Sequence, residues 1–241
     1  MSAPTRHRIA LWSGPRNIST ALMYSFAQRA DTVVYDEPLY AHYLTARPEA
    51  RVYHPMAAEI LASQPTDGRA VVRGMLGAHP RPVAFFKHMG HHLVDLDRGF
   101  LGALVNVILT RDPRDMLPSY IAVVKAPTLA DVGYAAQVAL RDELRARGRE
   151  PVVLDAREVL EDPRSALTHV CDAAGIDFDE AMLAWAPGPR PEDGVWAPHW
   201  YAGVHASTGF RPYRPKTAPF PERLAPLLAE CRPLYDALRE A

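Results

Sequence analysis

A short polar segment near the N-terminus has the composition of an anion-binding loop. It follows the apolar run 9–13 and comprises Gly14, Pro15, Arg16, Asn17, Ile18, Ser19 and Thr20. Where such a segment joins a strand to a helix, free backbone N–H groups and the helix dipole favour an anion. Arg16 would supply the cation, although the Gly-Lys-Ser/Thr ending of a Walker A loop is absent. The simpler interpretation is a plain turn in which Ser19 or Thr20 caps the helix.

A second polar cluster follows the most continuous apolar run of the chain, residues 103–110. The sequence R-D-P-R-D begins at Arg111, and Ser119 follows two helical turns later. Arg111 at a strand end and Ser119 on the face of the next helix could hold a second phosphate. The alternative is an ordinary helix start, with its charged residues capping and pairing at the surface.

The elements that must position these residues alternate between strand and helix. Apolar and β-branched runs predict strands at 9–13, 32–35, 83–87, 103–110 and 151–154. Helical spacing and capping residues predict helices starting at 19 and 112 and spanning about 56–62, 129–147, 162–171 and 222–239. This alternation favours a parallel α/β sheet, whose ligands bind beyond the carboxyl ends of the strands.

The composition is that of one globular domain covering residues 1–241. The formal net charge is −1, which argues against a nucleic-acid partner. No apolar run is long enough to cross a bilayer and no signal-peptide core is present, so the expected compartment is the cytoplasm. The two cysteines, Cys171 and Cys231, are expected to be buried, reduced thiols. The oligomeric state is left open.

Proline, glycine and aromatic residues are concentrated between residues 186 and 221. This segment contains Trp196, Trp200, Tyr201, Phe210 and Tyr213, and we expect so many large rings to be at least partly buried. Long irregular segments inside compact domains are usually lids or binding loops. We therefore predict an ordered aromatic loop at 186–221, followed by the C-terminal helix.

In combination, these motifs resemble those of sulfotransferases. A strand, then G-P-R-x-x-S-T, then a helix resembles the 5′-phosphosulfate loop of that family. R-D-P-R-D followed by Ser119 resembles its 3′-phosphate motif. Residues 153–155, 160–163 and 167–176 are similar to its Y-E-D-L…D-P…L…L-G-[LI] stretch. The three matches come in the family's order and cover roughly residues 8–185.

The resemblance implies a three-layer sandwich with a central parallel sheet of P-loop NTPase-like topology. It implies 3′-phosphoadenosine 5′-phosphosulfate (PAPS) as donor, the bisphosphate PAP as product, and no metal ion. The acceptor would be a hydroxyl group of a small molecule, whose identity is left open. Residues 14–20 would bind the 5′ side of the donor, and Arg111 and Ser119 its 3′-phosphate.

The chain departs from the family pattern at two places. Ile18 stands where many relatives have glycine, which would tighten the loop on one side. The Arg-Lys-Gly clamp of cytosolic members is missing. We expect the aromatic residues at 195–210, Trp200 and Phe210 among them, to stack on adenine in its place.

Sulfuryl transfer depends mainly on positioning and charge stabilisation, together with a base for the acceptor hydroxyl. Arg16 and Lys87 are the candidate cations, since both are predicted at carboxyl ends of strands. Glu37 is the first candidate for the base, because it resembles the catalytic glutamate that many bacterial and Golgi sulfotransferases carry there. The alternative role for Glu37 is a structural ion pair with Arg16.

His88 and His91 are the rival candidates for the base, because imidazole is suited to proton transfer near neutral pH. Cytosolic sulfotransferases place a histidine two positions after a lysine, whereas here that position is Met89. The histidine cluster also suggests a metal site. We disfavour this because no carboxylate or cysteine partner stands at helical spacing.

Two other functions are compatible with the sequence. A small-molecule kinase would use the same architecture, although the Walker lysine and a clear magnesium-binding aspartate are missing. A non-catalytic nucleotide-binding module would keep the fold without turnover. The joint presence of Glu37 and Lys87 argues against the module.

Overall fold

The computed structural model describes residues 6–240 and contains a sheet of five parallel strands. The strands are β1 His7–Ser13, β2 Thr32–Asp36, β3 Val83–Met89, β4 Val105–Thr110 and β5 Val152–Asp155. Their order across the sheet is β2-β3-β1-β4-β5. The predicted parallel α/β sheet is confirmed, and each strand agrees with its predicted bounds to within two residues.

Helices and short 3-10 turns connect the strands. The α-helices within residues 6–240 are α1 Ser19–Phe26, α2 Tyr40–Ala46, α3 Ala57–Ser63, α4 Gly68–Leu76, α5 Pro113–Tyr120, α6 Leu129–Val132, α7 Tyr134–Ala146, α8 Ala156–Glu161, α9 Pro163–Ala174, α10 Ala197–Trp200, α11 Ala202–His205 and α12 Ala225–Arg239. The 3-10 helices are Pro48–Val52, Gly90–His92, Arg98–Ala103, Glu180–Leu183 and Glu222–Leu224.

The helices cover both faces of the sheet, because successive strand residues point to opposite sides and both sides are apolar. On one face, Trp12 and Phe86 belong to a buried cluster with side chains of α5, α7 and α12. On the other face, Leu11 and Phe85 belong to a second cluster with side chains of α1 and α9. The three-layer sandwich is thus confirmed.

The helix predicted at 129–147 is divided in two by Gly133. This residue has a φ of +80°, so α6 ends before it and α7 begins after it. The sequence shows only an isolated glycine, which a continuous helix can tolerate. The break brings the Val132 carbonyl oxygen to within 2.9 Å of where a Cβ on Gly14 would lie. Both glycines are therefore required where α6 meets the loop after β1.

Other predicted elements need smaller corrections. The fourth strand begins at Val105, because the residues before it form the 3-10 helix Arg98–Ala103. The aromatic loop at 186–221 contains the short helices α10 and α11. The C-terminal helix begins as the 3-10 turn Glu222–Leu224 and continues as α12. The helices α2, α4 and α8 were not predicted.

Cys171 and Cys231 are buried, and neither forms a disulfide. Their burial raises the pKa of the Cys171 thiol to about 11 and that of Cys231 to about 12. Among the residues that the structure describes, no helix is long and apolar enough to cross a membrane.

We expect Gly133→Ala and Gly74→Ala to change stability in opposite directions. Alanine at Gly133 must adopt a left-handed conformation, which costs about 1–2 kcal/mol. Gly74 lies inside α4 with open space around its Cα, so alanine there stabilises by about 0.5–1 kcal/mol. Urea unfolding of both variants measures the two effects. Equal stabilities would contradict the backbone assignment at Gly133.

Candidate functional site

A cavity of about 490 Å³ opens at the carboxyl ends of the strands. Parallel strands end at the same edge of a sheet, so the polar residues that follow them meet there. The predicted site residues that line the cavity are Pro15, Arg16, Asn17, Ile18, Ser19, Thr20, Glu37, Lys87, His91, Arg111, Ser119, Trp200 and Phe210. Gly14 packs on Val132 behind the loop, and neither Gly14 nor His88 lines the cavity.

The 14–20 segment is a tight turn with two left-handed residues. The φ angles are +58° at Arg16 and +60° at Ile18, and Ile18 directly precedes α1. A β-branched residue is strained in this conformation, whereas glycine adopts it freely. The N-cap residue of α1 is Ile18 and not Ser19 or Thr20, and among the described residues it provides no side-chain capping hydrogen bond. The first N–H groups of α1 border the cavity and favour an anion there.

Asn17 fastens this loop to the sheet. Its buried side-chain amide donates a hydrogen bond to the Leu109 carbonyl oxygen at 3.0 Å. Gln137 of α7 donates to the same oxygen at 2.7 Å and to the Trp12 carbonyl at 3.2 Å. The loop, β4 and α7 are therefore joined at one carbonyl group.

Arg16 and Arg111 form a positively charged group at one end of the cavity. Arg16 Nε donates to Ser119 Oγ at 3.1 Å, and Arg111 Nη1 donates to the Arg16 carbonyl oxygen at 2.8 Å. Within residues 6–240, neither guanidinium forms an ion pair with a carboxylate. Burial, and then the neighbouring charge of Arg111, lowers the pKa of Arg16. The arrangement is suited to bind an anion.

Lys87 is the centre of a buried polar group in the wall of the same cavity. Its Nζ atom donates to Asp36 Oδ1 at 2.8 Å, to Glu37 Oε1 at 2.5 Å and to the Tyr201 hydroxyl at 2.7 Å. The Lys87 side chain is only 2% exposed. Burial alone would lower its pKa, but the charges of Asp36 and Glu37 raise it well above the ordinary value. Lys87 is therefore a permanent cation.

Asp36 is the counterion that also ties the aromatic loop to the sheet. Besides Lys87, its carboxylate accepts hydrogen bonds from the Tyr201 hydroxyl at 2.7 Å and from the Gly194 N–H at 3.0 Å. Trp196 Nε1 donates to the same Tyr201 hydroxyl at 3.0 Å. Sequence analysis did not identify Asp36 or Tyr201 as site residues. The position of Asp36 at the end of β2 was a usable signal, whereas Tyr201 is one aromatic residue among many.

Glu37 lies at the tip of β2 in a strained conformation. Its φ is +43°, and its N–H donates to the Lys87 carbonyl oxygen at 2.8 Å. Burial raises the pKa of the Glu37 carboxyl group, Lys87 opposes this shift, and the charge of Asp36 reinforces it. Glu37 pairs with Lys87 and not with Arg16, so the predicted structural alternative has the wrong partner.

His88 points away from the cavity. It follows Lys87 on β3, so its side chain lies on the opposite face of the sheet, where it stacks on Trp12 with ring centroids 4.3 Å apart. Burial lowers its pKa to about 3, and neither ring nitrogen has a hydrogen-bond partner among the described residues. The geometry gives His88 no access to a ligand in the cavity.

Two neighbouring histidines do line the cavity. His92, which sequence analysis did not identify, has its Nδ1 atom 4.0 Å from Glu37 Oε2. Burial lowers the pKa of His91 to about 4 and that of His92 well below the ordinary value. Both rings are therefore neutral near neutral pH. In residues 6–240, no group of three or more His, Cys, Asp or Glu side chains is arranged to hold a metal ion.

Trp200 and Phe210 bring the aromatic loop to the cavity. The Trp200 carbonyl oxygen accepts a hydrogen bond from Arg16 Nη1 at 3.3 Å. Phe210 packs edge-on against Trp185, with ring centroids 5.2 Å apart. The loop is thus held at both the cationic group and the Lys87 group.

A profile of the sulfotransferase domain family matches residues 7–241. The chain belongs to this family. Two relatives in Arabidopsis thaliana are similar over most of the chain. They are branched-chain-amino-acid aminotransferase-like protein 1, 40% identical over 95% of this chain, and protein 2, 38% identical over 96%. The chain spans 41% of the length of each relative.

Solved sulfotransferase structures share the fold of this family member. The sulfotransferase domain of the Synechococcus PCC 7002 olefin synthase superposes with a TM-score of 0.56 at 17% identity, covering 100% of this chain and 98% of that domain. A sulfotransferase from Alicyclobacillus acidocaldarius gives a TM-score of 0.57 at 15% identity, covering 99% and 95%. At these identities the likeness concerns the fold.

We expect Lys87→Met to destabilise the protein by about 3–5 kcal/mol near neutral pH, because two buried carboxylates lose their cation. Without Lys87, the pKa of Glu37 rises further. A carboxyl group whose pKa is higher in the folded than in the unfolded state binds its proton more tightly when folded. Stability of the variant therefore falls as pH rises and partly recovers as pH is lowered.

Urea unfolding at about pH 5 and about pH 8 measures this dependence, with stability at each pH referred to the unsubstituted chain. Lys125→Met, at an exposed lysine, is the matched control and should change stability little at either pH. A deficit of the same size at both values would show that Lys87 does not balance these carboxylates.

Proposed function

We propose that the chain is a sulfotransferase that moves a sulfuryl group from PAPS to the hydroxyl group of a small molecule. The observation that carries the proposal is the contact between Arg16 and Arg111, neither of them paired with a carboxylate of residues 6–240, beside the start of α1. Because the chain belongs to the sulfotransferase domain family, we assign this anion site to the sulfuryl donor. The Lys87–Glu37 pair lines the same cavity and supplies a cation and a candidate base.

The residues present fit a nucleotide with phosphate groups on both sides of its ribose. Arg16, Ser19, Thr20 and the first N–H groups of α1 would hold the 5′ side. Arg111 and Ser119 would hold the 3′-phosphate, and the Arg16–Ser119 hydrogen bond connects the two groups. Trp200 and Phe210 line the cavity and would contact the adenine. Asn17 holds the loop in place through Leu109.

When bound, PAPS supplies an activated sulfuryl group and leaves as PAP. The acceptor oxygen would form a bond to sulfur as the bond from sulfur to the phosphate oxygen breaks. Glu37 accepts the hydroxyl proton, since its carboxylate lines the cavity and its raised pKa makes it a stronger base than an exposed glutamate. Lys87 provides a fixed positive charge beside Glu37, and Arg16 provides a second one at the loop.

Titration calorimetry with PAP tests the donor site, and ADP and ATP with magnesium serve as competing ligands. We expect PAP to bind with a Kd of about 1 μM or tighter. Arg111→Ala should weaken PAP binding by about 10–100-fold, because hydrogen bonds to a charged group are lost. Arg114→Ala is the matched control, since Arg114 follows on α5 and does not line the cavity.

Binding of ATP with magnesium in the absence of PAP binding would favour the kinase over the sulfotransferase. An equal effect of the two arginine variants would contradict the assignment of Arg111 to a phosphate group.

We expect Glu37→Gln to bind PAP as tightly as the unsubstituted chain while kcat falls by about 10²–10⁴-fold, as is usual for loss of a general base. Glutamine is nearly isosteric, and Asp36 remains as the counterion of Lys87. The rate is measured as PAP formed from PAPS with a panel of phenols and alcohols. Glu59→Gln, at an exposed carboxylate of α3, is the control.

Full turnover by Glu37→Gln would show that Glu37 is not the base. If the unsubstituted chain binds PAP but releases none from PAPS with any acceptor, the chain is a binding module.

A further inference from the structure

The part of the cavity next to Glu37 is built from rings. Its lining residues are Tyr40, His54, His91, His92, Tyr120 and Trp196, which we call the aromatic end. The group adjoins the proposed base, because His92 Nδ1 lies 4.0 Å from Glu37 Oε2. None of the six carries a charged side chain at neutral pH, since burial lowers the pKa of His54 and of His91 to about 4 and that of His92 well below its ordinary value.

The rings of the aromatic end are packed on one another. His92 stacks between Tyr40 and Tyr43, with ring centroids 4.7 Å apart in both pairs. Trp196 meets Tyr40 edge to face at 5.0 Å. His92 and Tyr40 are therefore already in contact with neighbouring rings of the protein. An ammonium group binds aromatic rings through their faces, so this packing does not form an open cage for a cation.

Several polar and charged groups in and around this end are already paired within the protein. The Tyr40 hydroxyl and His54 Nδ1 form a hydrogen bond of 2.5 Å. Asp131, the carboxylate whose charge acts on His54, accepts two hydrogen bonds from Thr128 at 2.7 Å and does not line the cavity. Lys87 and Glu37 are paired with each other. A charged group on the acceptor would thus be buried here without a counterion, which is strongly unfavourable.

Two buried ring nitrogens of this end, His91 Nδ1 and His92 Nδ1, have no partner among the described residues, and the one at His92 lies next to Glu37. His92 Nδ1 lacks a hydrogen bond, and the His92 side chain is 1% exposed. An acceptor hydroxyl that reaches Glu37 also comes within reach of this nitrogen. The acceptor hydroxyl would therefore contact two polar groups, the Glu37 carboxylate and His92 Nδ1, while aromatic rings surround the rest of the acceptor.

We infer that the acceptor is an uncharged hydroxyl compound with an apolar body, bound at the aromatic end with its hydroxyl group between Glu37 and His92. This inference rests on the proposed sulfotransferase function. Arg16 and Arg111, which would bind negative charge, line the same cavity. Charge discrimination thus follows from a cavity wall that has both cationic and neutral aromatic parts.

Three phenols that differ in charge test the inference: 4-ethylphenol is neutral, tyramine carries an ammonium group, and 4-hydroxyphenylacetate carries a carboxylate. Calorimetric binding to the enzyme–PAP complex is measured first, then kcat/KM with PAPS. We expect 4-ethylphenol to be preferred by at least about 10-fold in both. A charged phenol that binds or reacts equally well would overturn the inference, and so would a complex that holds PAP and binds none of the three.

A variant locates the preference in the aromatic end. His54→Asp places a carboxylate in the cavity wall and should move the preference towards tyramine by at least about 10-fold. Val52→Asp adds the same charge two residues away, at a side chain that is 91% exposed, and should leave the preference unchanged. Thermal unfolding and PAP affinity confirm that both variants are folded. An unchanged preference in a folded, PAP-binding His54→Asp chain would overturn the inference, whereas failure of PAP to bind the unsubstituted chain would instead refute the proposed function.

Discussion

The burial of Lys87 is the constraint on which the rest of the site depends. A lysine taken out of water needs anionic partners close by, and two carboxylates at the end of β2 provide them. These carboxylates lie beside Lys87 because Asp36 pairs with it in the parallel register of β2 and β3. Asp36 in turn binds Tyr201 and Gly194, so the aromatic loop is held over the site by the same charge balance. The Lys87 group and the aromatic loop are thus held together by the same charges and hydrogen bonds.

The cavity contains two different environments. Arg16 and Arg111 form no ion pair with a carboxylate of the described residues, whereas neutral rings stack on His92. A group transfer from an anionic donor needs such a division, because the donor's charge must be stabilised while the acceptor oxygen keeps a base nearby. Lys87 and Glu37 line the same cavity as both groups.

The strands and most of the cavity were predictable because parallel sheets reveal themselves through apolar runs and through polar residues at their carboxyl ends. The position of Gly133 as a helix break was not, since a glycine within a periodic pattern does not reveal its φ angle. Asp36 and Tyr201 form a hydrogen bond although they are 165 residues apart in the sequence, and no local sequence pattern shows such a contact. The orientation of His88 was within reach: if Lys87 faces the site, the next residue on a strand faces away.

The backbone of the site is strained because residues with functional side chains occupy positions that glycine would adopt freely. Three of the five non-glycine residues with positive φ in the described chain, Arg16, Ile18 and Glu37, line the cavity. Glycine would relieve the strain at each position, but it would remove the guanidinium and the carboxylate that the proposed reaction requires. Ile18 instead packs against the core under α1, so its side chain offsets part of the cost through burial.

Strain of this kind persists only where the surrounding structure holds it, and here the hydrogen bond from the Glu37 N–H to the Lys87 carbonyl does so. The tight turn after β1 and the sharp turn after β2 are therefore conditions for placing the cation and the base at the same edge of the sheet.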